Sequence, residues 1–203
     1  MQSKILSKRM LLGIILLGFI LFAILLFNFI LKNPIQGSSA LLIENVATLP
    51  NQEYASVGLP VRLKIPAIGV DSAVISVGLT SDGAMDVPKD PTDVAWFNLG
   101  PRPGESGSAV INGHYGWKNN IPAVFDNLHK LREGERISVE DEKGVTTTFI
   151  VREIRIYDKD DVALGVFESD DGKAHLNLIT CMGDWNQVEK THSERLVILT
   201  DKE

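Results

Sequence analysis

Cysteine is nearly absent from this chain: Cys181 is the single one in 203 residues. That excludes an intrachain disulfide framework and a zinc site built on several thiolates. A leftover cysteine is either a small apolar core residue or a thiol kept for chemistry. Acidic residues are missing from the first 40 positions, and Met10 to Leu31 carries no charge of either sign. Basic surplus is missing from the remainder, where 16 Lys and Arg stand against 26 Asp and Glu, a net charge of −10 with His neutral. That balance argues against nucleic acid as a partner and against charge-driven docking on anionic lipid. There is no internal repeat and no low-complexity tract. Alternating strand and helix units are also lacking, which argues against a parallel α/β fold.

What is present begins with the apolar run. Met10–Leu31 is 22 residues, dominated by Leu, Ile and Phe on every face. As a helix it would be about 33 Å long, enough to cross a hydrocarbon core of ~30 Å. Lys4, Lys8 and Arg9 precede it and Lys32 alone follows closely. The positive-inside bias then leaves residues 1–9 in the cytoplasm and everything from 32 onward outside. The run is longer than a signal-peptide core and no small-x-small cleavage site follows at once, so it reads as an uncleaved signal-anchor. The predicted location is the cell membrane, single-pass, with the folded domain outside. Residues 32–59 carry Pro34, Gly37, Pro50 and Gly58 without sustained periodicity and read as an extracellular linker or arm. Residues 60–203 have the size of one domain.

That domain reads mainly as strands. Val61–Ile65 alternates apolar and basic, and Pro66 stops it. Ala73–Val77, Ala109–Asn112, Arg136–Glu140, Thr146–Tyr157, His175–Cys181 and Arg195–Thr200 complete the set. The apolar phase of Thr146–Tyr157 flips between Val151 and Ile154, which predicts a bulge or bend. Ile121–Leu131 is the one helical prediction, with Pro122 early and Phe125, Leu128 and Leu131 on one side. Many short strands with turn signals indicate a sandwich or barrel.

A cysteine nucleophile needs help to ionise, usually from an imidazole. His129 reads as solvated beside Lys130 and Arg132. His175 lies six residues before Cys181, ~20 Å along a strand and too far for contact. His192 sits in a polar stretch, Glu189–Glu194, read as loop. His114 differs: it ends the apolar strand Ser108–Gly113 directly after a glycine, which lets the backbone present it at a rim. From position alone a hydrogen-bonded histidine near a turn stays open. An acyl transfer also needs an oxyanion stabiliser, and the guanidinium of Arg195, opening the last strand, suits that role. From position alone the simpler reading of Arg195 is a surface ion pair. If its strand pairs beside that of Cys181, with residues 182–194 as the loop, both side chains reach one end of the sheet.

Cys181 after Leu178-Ile179-Thr180, His114 in Ile111-Asn112-Gly113-His114, and Arg195 opening a closing apolar strand together resemble the sortase family. Ile65–Asp71 resembles that family's first strand and turn. Asp82–Pro88, and Trp96-Phe97 followed by Gly100–Gly104, are similar to class F sortases and more loosely to classes D and E. Asn177 departs from the family's frequent threonine at the start of the motif before the nucleophile. The resemblance implies a closed eight-stranded β-barrel with short helices behind one transmembrane helix. It implies a cysteine transpeptidase in which Cys181 attacks the Thr–Gly carbonyl of an LPxTG-like signal to form a thioester. His114 would serve as acid and base, Arg195 would hold the oxyanion, and Thr180 would contact substrate. Its partners would be exported proteins bearing a C-terminal sorting signal, and its acceptor the amine of a peptidoglycan precursor or a pilin lysine. Residues 33–59 lack the Asp-Pro-aromatic lid of polymerising class C sortases, which favours anchoring over pilus assembly.

Other readings set beside this one are a different wall-directed cysteine enzyme and a non-catalytic surface binding domain. L,D-transpeptidases place His, Cys and Arg close together, whereas Arg195 lies 14 residues beyond Cys181. Papain-like enzymes put cysteine first, at a helix start. No cofactor is expected, and no metal: Asp158, Asp160 and Asp161 lack EF-type ligand spacing and read as a solvated loop.

Overall fold

Alternation along each strand decides which side chains fill the interior. In β1 (Pro60–Ile65) Leu63 and Ile65 are fully buried, while Val61 and Arg62 face solvent. The computed structural model, which describes residues 56–118 and 120–203, continues with β2 (Val70–Val77), β3 (Val94–Phe97) and β4 (Gly107–Gly113). A two-residue side hairpin follows, β5 (Trp117–Lys118) with β6 (Ile121–Pro122). Then come β7 (Arg136–Asp141), β8 (Thr146–Asp158), a single helical turn α1 (Leu164–Phe167), β9 (Ala174–Asn186) and β10 (Thr191–Lys202). Around the closed barrel the order is β1-β2-β3-β4-β9-β10-β8-β7, with β7 pairing back onto β1. Closure leaves no unpaired sheet edge. The β2–β3 and β4–β9 pairs are parallel, and the other barrel pairs are antiparallel.

The expected mainly β, eight-stranded barrel is the observed one. The interior is filled by Leu63, Ile111, Phe125, Phe149, Leu178 and Ile198, all fully buried. Each such side chain stabilises the fold by roughly 1.5–3 kcal/mol. The phase flip in β8 is a register shift: Leu199 pairs with Glu153 but Thr200 with Val151, so Arg152 is the extra residue of a bulge. β9 and β10 are buried on both faces over their first and last halves respectively. Leu176, Leu178, Leu196 and Ile198 point inward; Ile179, Val197 and Leu199 point outward, where Val166 of α1 covers them. The predicted transmembrane run and the linker up to residue 55 lie outside the described residues. Among the described residues no helix is long and apolar enough to cross a membrane. Residues 56–59 dock on the barrel: Gly58 N–H donates to Asp141 Oδ2 at 2.9 Å, and Arg102 Nη1 donates to the Val57 carbonyl at 2.6 Å.

Three expectations are corrected. Residues 121–131 are not a helix but a strand end, a set of turns and a 3-10 turn at Leu128–Lys130. The N–H groups of Ala123, Val124 and Phe125 donate to the carbonyls of Gly116, Pro91 and His114 instead of to their own helix. Tertiary partners thus override a helical pattern whose apolar residues Phe125, Leu128 and Leu131 are nonetheless fully buried. Residues 182–194 are not a loop: β9 and β10 run on as a hairpin, turning at residues 187–190, where Lys190 takes a φ of 55°. β3 joins the barrel without an alternating sequence because Val94, Ala95 and Trp96 are all buried.

His175 pins the far end of β9. Its Nδ1 donates to Asp201 Oδ1 at 2.9 Å and its Nε2 to Asp171 Oδ1 at 3.0 Å. Carboxylate oxygens of ionised groups only accept, so the ring carries both protons here. Burial pushes the imidazole pKa down, but the bonds to Asp171 and Asp201 outweigh it and the net shift is upward. The bond from His175 and that from the Lys173 N–H hold Asp171 well below the usual carboxylate range. Arg152 also pairs with Asp201, at 3.0 Å, and Lys173 and Glu168 line the same polar cavity of about 380 Å³. The His175 contribution is complete below the ordinary histidine pKa of ~6.5 and is lost as pH rises through the raised value. The Asp171 contribution is complete above ~3.9 and is lost as pH falls toward its depressed value. Thermal midpoints are therefore expected to fall as pH rises above ~6.5, and His175→Gln to flatten that decline. An unchanged pH dependence in the variant would show that the decline comes from other groups.

Candidate active site

The site is assembled where β4 ends beside the continuing β9–β10 hairpin. Asn112 of β4 pairs with Ile179 of β9, and Arg195 of β10 pairs with Cys181. On β9 the even residues Leu176 and Leu178 point into the barrel, so Cys181 faces outward. On β4 the core residues are Ala109 and Ile111, so Asn112 takes the outer side, and His114, just past the strand's end, lines the same cleft. Two strands joined in parallel thus deliver His114 and Cys181 to one outer groove. Cys181 is a free thiol of intermediate exposure. His114, Thr180, Cys181 and Arg195 all line one cleft of about 850 Å³. Its lining also includes the apolar side chains of Met85, Val87, Val162, Val166 and Phe167.

Each predicted residue has its own support. The carbonyl of His114 accepts from the Phe125 N–H at 3.0 Å, and its ring Nε2 donates to the Pro88 carbonyl at 2.6 Å. Arg195 is folded onto its own strand. Nη1 donates to the carbonyls of His192 and Glu194 at 3.0 and 2.8 Å, and Nη2 to Thr191 Oγ1 at 3.0 Å. Nε–H and one Nη2–H are left for a further acceptor. Surface ion pairing is not its role, since none of these partners is charged. Thr180 is 3% exposed and its hydroxyl donates to the Gly113 carbonyl at 2.8 Å. It fastens β9 to the end of β4 directly beside the histidine. Asn177 is buried and donates to the Val166 carbonyl at 2.7 Å, holding α1 over the groove.

The sequence reads His192 as part of a polar loop. The structure puts it in the cleft, between Tyr115 and Trp185, with ring centroids 5.3 and 5.1 Å away. A polar hairpin with both faces near water carries no hydrophobic alternation to betray it. The available signal was Asn186, whose Oδ1 accepts from the Val188 and Glu189 N–H groups to form the turn. Asp158, Asp160 and Asp161 do not converge: Lys159 binds Asp160, and Asp161 accepts the Asp158 N–H. Among the described residues no group of three or more His, Cys, Asp or Glu side chains is placed to hold a metal.

A thiol, an imidazole and a guanidinium line one cleft of a closed β-barrel, and these are the groups that cysteine acyl transfer uses. The chain matches the family described as Sortase domain over residues 63–203, and it belongs to the sortase family, whose members are cysteine transpeptidases. Sortase C-1 from Actinomyces oris is 24% identical, with 71% of this chain and 74% of that chain covered at a TM-score of 0.56. Sortase C1 from Streptococcus agalactiae, in complex with MTSET, is 23% identical, with 70% and 66% covered at a TM-score of 0.54. Sortase A from Corynebacterium diphtheriae is 22% identical, with 72% and 61% covered at a TM-score of 0.53. The chain thus spans less than two-thirds of the latter two, and at these identities the likeness establishes the fold. No curated protein matches the chain by sequence.

Proposed function

We propose that this chain is a membrane-anchored sortase that cleaves an LPxTG-like sorting signal between Thr and Gly and transfers the protein to an amine. The observation that carries the reading is the convergence of Cys181, His114 and Arg195 on one cleft of a sortase-family barrel. His114 takes the Cys181 thiol proton as Sγ attacks the threonine carbonyl carbon, and a tetrahedral oxyanion forms that the remaining N–H groups of Arg195 stabilise. The Thr–Gly amide breaks as His114 gives a proton to the leaving amine, and a thioester remains. An incoming amine then attacks the thioester, and His114 takes its proton and passes it to the departing Cys181 sulfur, which restores the thiol. The apolar walls of the cleft suit an extended peptide with apolar side chains.

The substrates would be exported proteins with a C-terminal sorting signal, and the acceptor a peptidoglycan precursor amine or, second, a pilin lysine. Residues 10–31 would hold the enzyme in the membrane with the barrel outside. The motifs at Asp82–Pro88 and Trp96–Gly104 support class F ahead of D or E. The test is a panel of fluorogenic LPxTG-type peptides with the full chain in detergent and a glycine-based amine. Cleavage between Thr and Gly with an amine-dependent ligation product is expected. Silence of the folded protein across the panel, with Cys181 also refusing alkylation, would sink the reading.

A further inference from the structure

Asn112 lies on the outer face of β4, two residues before His114, which follows the strand's end at Gly113. It is 8% exposed. Its Nδ2 donates to the Asp86 carbonyl at 2.8 Å, and His114 Nε2 donates to the Pro88 carbonyl at 2.6 Å. The two side chains therefore grip one short segment, Asp86–Pro88, at carbonyls that are themselves two residues apart. The same segment is anchored from behind: the Asp86 N–H donates to the Gly78 carbonyl at 3.0 Å, and Leu79 bridges Met85.

The amide has one usable orientation. A carbonyl only accepts, so the NH2 group must face Asp86, and Oδ1 is left without a partner among the described residues. A buried acceptor left unpaired is destabilising, a cost that an apolar strand residue here would not carry. The benefit lies two residues on. In a neutral imidazole one nitrogen carries the hydrogen and the other the lone pair. Because the Pro88 carbonyl only accepts, the hydrogen sits on Nε2 and Nδ1 is the nitrogen free to exchange a proton. Pro88 contributes no N–H, so its carbonyl is the group it offers the ring.

We infer that Asn112 is a positioning residue: by holding Asp86 it keeps the Pro88 carbonyl on His114 Nε2 and so sets the tautomer and orientation of the ring. The kinetic consequence rests on the acid–base role given to His114 above, whereas the tautomer does not.

The test uses the full chain in detergent with ¹⁵N-labelled histidine, at a pH where the ring is neutral. Wild-type His114 is expected to show a protonated Nε2 and a bare Nδ1. Asn112→Ala is expected to shift the ring toward a mixture of tautomers. It should lower kcat for peptide transfer about 10- to 100-fold, with KM changed less than about threefold. Asn112→Gln, which keeps the donor on a longer arm, should recover part of both. An Nδ1–H tautomer in the wild type overturns the inference. So does a folded Asn112→Ala that keeps the wild-type tautomer and a kcat within about twofold. Asn112→Val, a good strand former, replaces the alanine variant if that one does not fold. If no sorting-type peptide is turned over, the ring nitrogens still decide the matter. Normal transfer by Asn112→Ala with unaltered tautomer would sink the positioning and leave the transpeptidase standing.

Discussion

Cys181→Ala in the full chain is expected to abolish thioester formation and amine ligation, lowering turnover on the order of 10³-fold or more while the barrel stays folded. The sulfur has no substitute, since it is the single thiol in the chain. The substitution removes one atom from an outward-facing position of intermediate exposure, leaves the backbone pairing with Arg195 intact, and deletes no core contact. Cys181→Ser is expected to be equally inactive, because a hydroxyl ionises far less readily than a thiol. Intact-mass detection of the acyl-enzyme in the wild type and its absence in both variants checks the assignment. Ligation by the alanine variant at more than about a tenth of the wild-type rate would remove Cys181 from the mechanism.

Gly113→Ala is expected to lose stability and activity together. A Cβ there would meet Phe125 Cδ2 at 2.6 Å and Val124 Cγ1 at 2.8 Å. Phe125 is fully buried in the barrel and cannot swing into solvent. Overpacking of this kind costs about 1–3 kcal/mol. The strain falls on His114, because the Phe125 N–H donates to the His114 carbonyl and the Thr180 hydroxyl to that of Gly113. Any shift of Phe125 therefore displaces His114 relative to Cys181, and such misplacement lowers turnover steeply. Urea unfolding with parallel transfer kinetics measures both losses. Adding Phe125→Leu, which vacates part of the ring's volume, should restore some of the turnover lost in Gly113→Ala. Wild-type stability and rate in Gly113→Ala would show that the neighbours give way freely.

The three candidate residues stand out in the sequence because each carries a local signal: a lone cysteine following an apolar run, a histidine after a strand-end glycine, an arginine heading an apolar run. Barrel strands with one face inward, such as β1 and β7, were legible from their period of two. β3 and the hairpin ends of β9 and β10 were not, for opposite reasons. Val94–Trp96 is buried on both sides, and Gly183–Asn186 is exposed on both, so neither segment alternates. The false helix at 121–131 had the right buried residues and the wrong hydrogen-bond partners. A pattern of apolar spacing reports which side chains face inward, but not where the backbone N–H groups go.

Chain chemistry alone determined the mainly β class, the acidic domain, the apolar N-terminal run and the three residue types of the site, since these follow from composition and short-range spacing. Tertiary structure decided what those residues touch. The β4–β9 parallel register carries His114 and Cys181, 67 positions apart in sequence, into one cleft. The pairing of Asn112 and His114 with the Asp86–Pro88 segment, and the entry of His192 into the cleft, depend on contacts between distant parts of the chain. Such contacts are chosen by closure of the whole barrel, which satisfies backbone hydrogen bonds and buries apolar surface at once, and no window of neighbouring residues contains that information.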